Sequence, residues 1–295
     1  MISIFSRPLK TLCTIMAAVV LTACGGASST VDPFKPTRVI GLGDGYNDIR
    51  TATGDVAPTV RTGAGTTSTV VEQVAAYFGQ SNVVSYATAG ARIGDLAAQI
   101  DSVGGFSAGD LVVITAGTFD VKASAVPATE AQTLVNQVQR LKTAGVKHIL
   151  IMPVLDVSRT PWGRTNSFDT TVTNTFNTAV LTALSTAFGG QSPNTVIYAN
   201  ASGVTSLFLT ATSVTTYSPF TDTGYNGTSA TTPACGGTTL ALNTSFATAG
   251  VSGCDATAIT TPYTTMLFAD GIHLTPAGNR WVAQYLYNAT AQGWR

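Results

Sequence analysis

The sequence predicts an α/β domain in three layers, with a parallel sheet of about five strands held between two sets of helices. Three observations predict it. Short β-branched runs alternate with stretches of helical spacing along the chain. Several of those runs, Leu111-Val112-Val113-Ile114 above all, are apolar at every position, the pattern of a strand covered on both faces. Glycine-containing acidic loops follow the runs, at the strand ends where such sheets carry their sites.

The elements follow in order. Thr37–Leu42 reads as a buried strand ended by Gly43-Asp44-Gly45. Thr67–Phe78 reads as a helix, with Val70, Val71, Val74, Ala75 and Phe78 on one face. Asn82–Tyr86 is a second short strand, and Arg92–Val103 a helix whose apolar face is Ile93, Leu96, Ala97 and Ile100. The strand Asp110–Thr115 comes next, then a long amphipathic helix over Pro127–Ala144 that Gly145 stops. His148–Val154 is a strand, Phe168–Phe188 a helix ending at Gly189-Gly190, and Thr195–Ala199 a fifth strand. Thr275-Pro276, a capping residue followed by proline, opens the last helix, which runs to about Asn288. The Thr/Gly-rich stretch 210–261 breaks this rhythm and is expected as a long loop excursion from the same domain.

The start of the chain reads differently. Met1–Lys10 is basic through Arg7 and Lys10, and Thr11–Ala23 is apolar, with the length of a signal-peptide core and too short to span a bilayer. It ends in Leu21-Thr22-Ala23-Cys24, followed by a Gly/Ser-rich stretch; this resembles a bacterial lipobox. The resemblance implies removal of residues 1–23, lipid on Cys24, a flexible tether over 24–36 and a folded domain over 37–295. Gly25 after that cysteine resembles an outer-membrane sorting pattern. Secretory cleavage at an A-x-A-like site, leaving a soluble exported protein, is the alternative. With Cys13 in the leader and Cys24 lipidated, Cys235 and Cys254 remain of the four cysteines. In an oxidising compartment those two can pair and pin the loop excursion, a stabilisation of roughly 3 kcal/mol; two free thiols are the other reading.

Formal net charge is zero and only 10% of residues are charged, so Thr, Ser, Asn and Gln must cover the surface. No basic run or Arg-aromatic patch is present, and nucleic acid is not an expected partner.

Four segments fall where a site should lie: Gly43–Asp48, Ala89-Gly90-Ala91, Ala116–Asp120 and Phe268–Pro276. In the last, Asp270 and His273 stand three apart before a helix, a spacing at which a carboxylate can fix the tautomer of an imidazole whose other nitrogen acts as base. Gly41-Leu42-Gly43-Asp44-Gly45 lacks the third glycine of a dinucleotide loop, since Tyr46 stands there. Asp44, Asp48, Asp120, Asp270 and His273 carry potential metal donors, but carboxylates at strand ends commonly accept backbone N–H bonds and fix loops. No metal and no cofactor are expected. Aromatics near Trp162 and over Tyr217–Tyr225 fit either a ligand groove or ordinary loop packing.

In this order the segments resemble the SGNH/GDSL hydrolase family, from about Thr37 to the C-terminus. Gly43-Asp44-Gly45 with Asp48 matches the Gly-Asp-Ser block and its following aspartate. Ala87-Thr88-Ala89-Gly90-Ala91 matches the second block, Gly117-Thr118-Phe119-Asp120 the Gly-x-Asn-Asp block, and Asp270-Gly271-Ile272-His273-Leu274-Thr275 the last. The cysteine pair before that last block also resembles the exported branch. The resemblance implies a flavodoxin-like three-layer fold, ester hydrolysis, an Asp270–His273 pair behind the nucleophile, and an oxyanion site at Gly90 and the third block.

Two positions depart from the family. Gly45 stands where the family has its nucleophilic serine, and a glycine cannot form an acyl-enzyme. Phe119 stands where the family has an asparagine that donates to the oxyanion, and a phenyl ring donates nothing. The expectation is therefore an envelope lipoprotein that keeps the cleft, has lost serine-ester hydrolysis and binds an acyl, glycan or envelope ligand. Its membrane contact would be the lipid on Cys24. A hydrolase working through His273-activated water is one alternative; a scaffold whose loop 210–261 contacts an unidentified protein is another.

Overall fold

In a computed structural model of the protein the described residues are 33–49, 59, 69–190, 194–199 and 267–294. The strands are β1 Arg38–Gly43, β2 Val83–Ser85, β3 Asp110–Thr115, β4 His148–Met152 and β5 Val196–Tyr198. They form one five-stranded sheet in the order β2-β1-β3-β4-β5, and every pairing is parallel. The helices are α1 Val70–Tyr77, α2 Leu96–Ser102, α3 Thr118–Lys122, α4 Pro127–Thr143, α5 Pro161–Thr165, α6 Thr170–Phe188 and α7 Pro276–Ala289.

Side-chain alternation along the strands builds two cores. Ile40, Leu42, Val112, Ile114, Ile149 and Ile151 face one side, against Leu96 and Ile100 of α2, Leu134 and Val138 of α4, and Phe176 and Val180 of α6. Val39, Leu111, Val113, Leu150 and Ile197 face the other, against Val70, Val71 and Val74 of α1 and Val282, Ala283 and Leu286 of α7. Both faces are covered, which is why β3 is buried at all six positions and reads as a continuous apolar run. The expected three-layer α/β architecture and its parallel sheet are those of the protein.

Element ends differ from the sequence reading for local reasons. The helix expected from Arg92 starts as a 3₁₀ turn at Ile93–Asp95, where Asp95 accepts the Arg92 N–H at 2.8 Å, and becomes α-helical at Leu96. The strand expected to reach Val154 stops at Met152, before Pro153. Two short helices stand where loops were expected. α3 follows Gly117, whose φ of +114° turns the chain out of β3. α5 follows Thr160, whose hydroxyl oxygen accepts the Gly163 N–H at 3.0 Å.

The first strand pairs with β2 on one side and β3 on the other, so successive crossovers leave β1 in opposite directions. The carboxyl ends of β1 and β3 therefore flank a topological switch point, where open α/β sheets leave a crevice. The loops 44–48 and 116–120 begin there.

Candidate functional site

The site begins with the turn out of β1. Gly43 has a φ of +109°, and a Cβ there would sit 1.8 Å from the Thr115 carbonyl oxygen. Only glycine permits this approach, and it lets the Asp44 N–H reach that same oxygen at 2.6 Å. Gln99 of α2 clamps the turn from below: its Oε1 accepts the Gly43 N–H at 2.6 Å and its Nε2 donates to the Gly43 carbonyl at 2.9 Å. Beyond it, Asn47 Nδ2 donates to the carbonyls of Leu42 and Val113 at 3.0 and 2.9 Å, again joining β1 to β3.

Two of the candidate carboxylates hold backbone. Asp48 Oδ2 accepts the Ala89 N–H at 2.8 Å, which ties the first loop to the Ala89-Gly90-Ala91 segment. Asp120 Oδ2 accepts the Ile93 N–H at 3.1 Å and joins α3 to the turn before α2. Gly90 has a φ of +88°, so the backbone turns sharply beside Ala89. Asp44 directs Oδ1 at the Tyr46 N–H, 3.3 Å away, while its Oδ2 is buried without a hydrogen-bond partner among the described residues.

The segment before α7 supplies the dyad. An antiparallel bridge between Phe268 and Leu274 and a bond from the Ala269 N–H to the His273 carbonyl close a tight turn. Inside it Asp270 Oδ1 accepts the N–H groups of Ile272 and His273 at 2.8 and 2.7 Å, and Oδ2 lies 2.8 Å from His273 Nδ1. A carboxylate there places the imidazole proton on Nδ1 and leaves Nε2 as the free nitrogen. His273 Nε2 is buried and has no hydrogen-bond partner among the described residues.

Three neighbours set this turn in place. The Tyr46 hydroxyl donates to the Ile272 carbonyl at 2.8 Å, and its ring meets the imidazole edge-on at 5.6 Å. The Trp162 N–H donates to the Gly271 carbonyl at 2.8 Å. Phe119 lies tilted against His273 at 6.3 Å between ring centroids. The structure thus brings the Gly45 loop to His273 through Tyr46, and brings Phe119 to the same imidazole. The site is enclosed: Gly45 is buried, Phe119 is 5% exposed and His273 4%.

Charge is concentrated here. Burial acts to lower the His273 pKa, but Asp270 in contact, with Asp44 and Asp48 nearby, outweighs it and holds the imidazole above its ordinary value. Burial pushes Asp44 up to about 6, against the Tyr46 amide and the nearby His273, which favour its charged form. Burial likewise pushes Asp120 up to about 6.

Gln99 lay outside the expected segments, and Asn47 and Tyr46 lay within Gly43–Asp48 without the anchoring roles they have here. Gln99 had a visible signal, a polar side chain beside Ile100 in an apolar helix; Tyr46 had none, because its partner is more than two hundred residues away. Cys24, Cys235, Cys254 and the stretch 210–261 lie outside the described residues.

Comparison with known proteins agrees with this fold. No curated protein matches the chain. Among solved structures, one described as a GDSL-like lipase from Parabacteroides merdae aligns at 13% identity over 88% of this chain and 98% of its own, with a TM-score of 0.54. A lipolytic G-D-S-L protein from Veillonella parvula aligns at 14% identity over 86% and 96%, with a TM-score of 0.45. A catalytic mutant of an acetylxylan esterase from Geobacillus stearothermophilus aligns at 18% over 85% and 93%, with a TM-score of 0.46. At these identities the first of them speaks to the fold alone. The model of the GDSL-like lipase/acylhydrolase family matches residues 40–286, from β1 through α7, and the chain belongs to that family.

Proposed function

We propose that this protein is a GDSL-family member that has lost serine-ester hydrolysis and binds an acyl, glycan or other envelope ligand at the inherited site, tethered to the membrane by lipid on Cys24. The observation that carries this reading is the state of His273: its dyad bond to Asp270 is intact, yet Nε2 meets no hydroxyl among the described residues and the turn at the nucleophile position holds Gly45. In serine esterases Nε2 takes the proton as the serine oxygen attacks the carbonyl carbon. Gly45 offers no oxygen to attack with, and in another hydrolase loss of the nucleophile costs about 10⁶ in rate. Phe119 adds a second loss, since a phenyl group cannot stabilise an oxyanion.

The intact dyad favours one other chemistry, in which His273 takes a proton from water and the hydroxide attacks an ester directly. The third block weighs against it: Phe119 stands where the family has its oxyanion donor, and a phenyl group cannot stabilise the charge that builds up as hydroxide attacks.

Turnover of short-chain aryl esters and acetylated sugars separates the two. The expected result is hydrolysis at the buffer rate, unchanged in His273→Ala. Turnover above buffer that disappears in His273→Ala establishes the water route instead. The anchor is tested separately: radiolabelled fatty acid is expected to enter the wild-type chain and not Cys24→Ser, and equal labelling of both would remove the lipid from the account.

A further inference from the structure

A cavity of about 430 Å³ opens where the carboxyl-terminal ends of α6 and α7 pass β5. Its apolar walls are Leu181, Leu184 and Phe188 of α6, Val196 and Ile197 of β5, and Ala289 of α7. The volume lies within the roughly 300–1,000 Å³ of small-molecule sites. Leu181 is 49% exposed, although it stands on a helix whose other apolar side chains pack into the core. The cavity is remote from the dyad. Ala289 is the last residue of α7, and the dyad turn lies before the first, so the whole helix of 14 residues, about 21 Å, separates them.

No charged side chain lines the cavity, so its body suits a hydrocarbon. Cations stand beside it. Lys142 Nζ lies 4.8 Å from the ring centre of Phe188, one of the walls. Burial, and then the like charge of nearby Lys147, lowers the Lys142 pKa. Lys147 is exposed, forms no ion pair among the described residues, and comes level with the lining residue Asn194, because Ile149 pairs with Val196 two positions on. An apolar chain with an anionic head complements this arrangement. An added peptide strand fits less well: Asn194 Oδ1 accepts the Val196 N–H at 3.3 Å and so takes a donor that strand pairing at the β5 edge would use.

We infer that this cavity is a second ligand site, which takes the hydrocarbon chain of a fatty acid and meets its carboxylate at Lys142 and Lys147. Binding there uses neither His273 nor the turn at Gly45, and stands whether or not the inherited site hydrolyses esters.

The test photolyses a diazirine-bearing dodecanoate with the full chain in phosphatidylcholine nanodiscs and maps the labelled residues by mass spectrometry. The expected result is label on Leu181–Phe188 or Val196–Tyr198. Unlabelled dodecanoate should compete at a concentration lower by about tenfold or more than dodecanol, which has the same chain and no charge. Lys142→Gln combined with Lys147→Gln should erase that preference, and Leu181→Glu, which sets a like charge at the cavity, should weaken labelling by about tenfold. All three positions are at least partly exposed, and far-ultraviolet circular dichroism with thermal melting checks that both variants fold. Absence of label from those two segments, or label confined to the dyad turn, overturns the inference. Equal competition by acid and alcohol overturns it too, as does a preference for the acid that survives loss of both lysines.

Discussion

Gly43 and Gly45 are two residues apart, and their lack of a side chain has opposite meanings. At Gly43 the positive φ and the Thr115 carbonyl leave no space for a Cβ, so the glycine belongs to the architecture of the turn. Gly43→Ala is expected to destabilise by about 3 kcal/mol or more, read as a lower urea midpoint. At Gly45 the family motif has a side chain, and its loss bears on chemistry. His148, at the opposite end of the sheet, titrates for a structural reason. It stacks on Phe34 with centroids 3.4 Å apart and meets Trp294 edge-on, and burial lowers its pKa from 6.5 to about 4. A base with a depressed folded pKa binds more protons unfolded, so its contribution is complete above pH 6.5 and is lost as pH falls toward 4. Asp44 and Asp120, pushed up to about 6, act in the opposite sense over much of that range. The difference between wild type and His148→Gln therefore isolates the histidine. Wild type should lose on the order of 1–2 kcal/mol relative to the variant between those limits, after allowance for partial exposure.

At the scale of elements, the helix ends carry much of the site's placement. Thr275 caps α7 by accepting the Gly278 N–H at 3.2 Å, two residues after His273. Thr275→Ala should cost about 1 kcal/mol and loosen the dyad turn, seen as faster amide exchange at Ile272 and His273. The longer elements were legible in the sequence because each spans enough residues for its period to show. α4 and α6 buried the apolar stripes that defined them. Strand runs such as Leu111–Ile114 and Ile149–Ile151 were legible because both their faces are covered. α3 and α5, five residues each, were not legible: a little over one turn has no measurable period, and their starts depend on Gly117's backbone and on the Thr160 cap. At the site, Asp270 and His273 were legible because they stand only three positions apart. The Gln99 clamp on Gly43 was not, because it joins positions 56 apart in the chain.

For the whole domain, strand order was the part hidden from the sequence. Alternating strands and helices specify a parallel sheet, but not that β1 lies between β2 and β3. That order places the turn after β1 and the turn after β3 at one crevice, and Asp44 N–H to Thr115 O closes the gap between them. The same order predicts the pattern of local stability. Amides of β1, β3 and β4, paired on both sides, should exchange more slowly than those of β2, which pairs on one side only among the described strands. Uniform exchange across the sheet would contradict the assigned strand order. Function is grafted onto this frame by few residues, and here the frame and the Asp270–His273 pair stand beside a glycine at the position of the family's serine.

The proposed loss of the attacking oxygen is most directly tested by intact-mass measurement after exposure to a fluorophosphonate, which phosphonylates an activated serine. Wild-type protein should gain no adduct, while Gly45→Ser combined with Phe119→Asn should gain one phosphonyl group per chain. A stoichiometric adduct on the wild-type protein that His273→Ala abolishes would contradict the account, because it would reveal a working nucleophile elsewhere in reach of the imidazole.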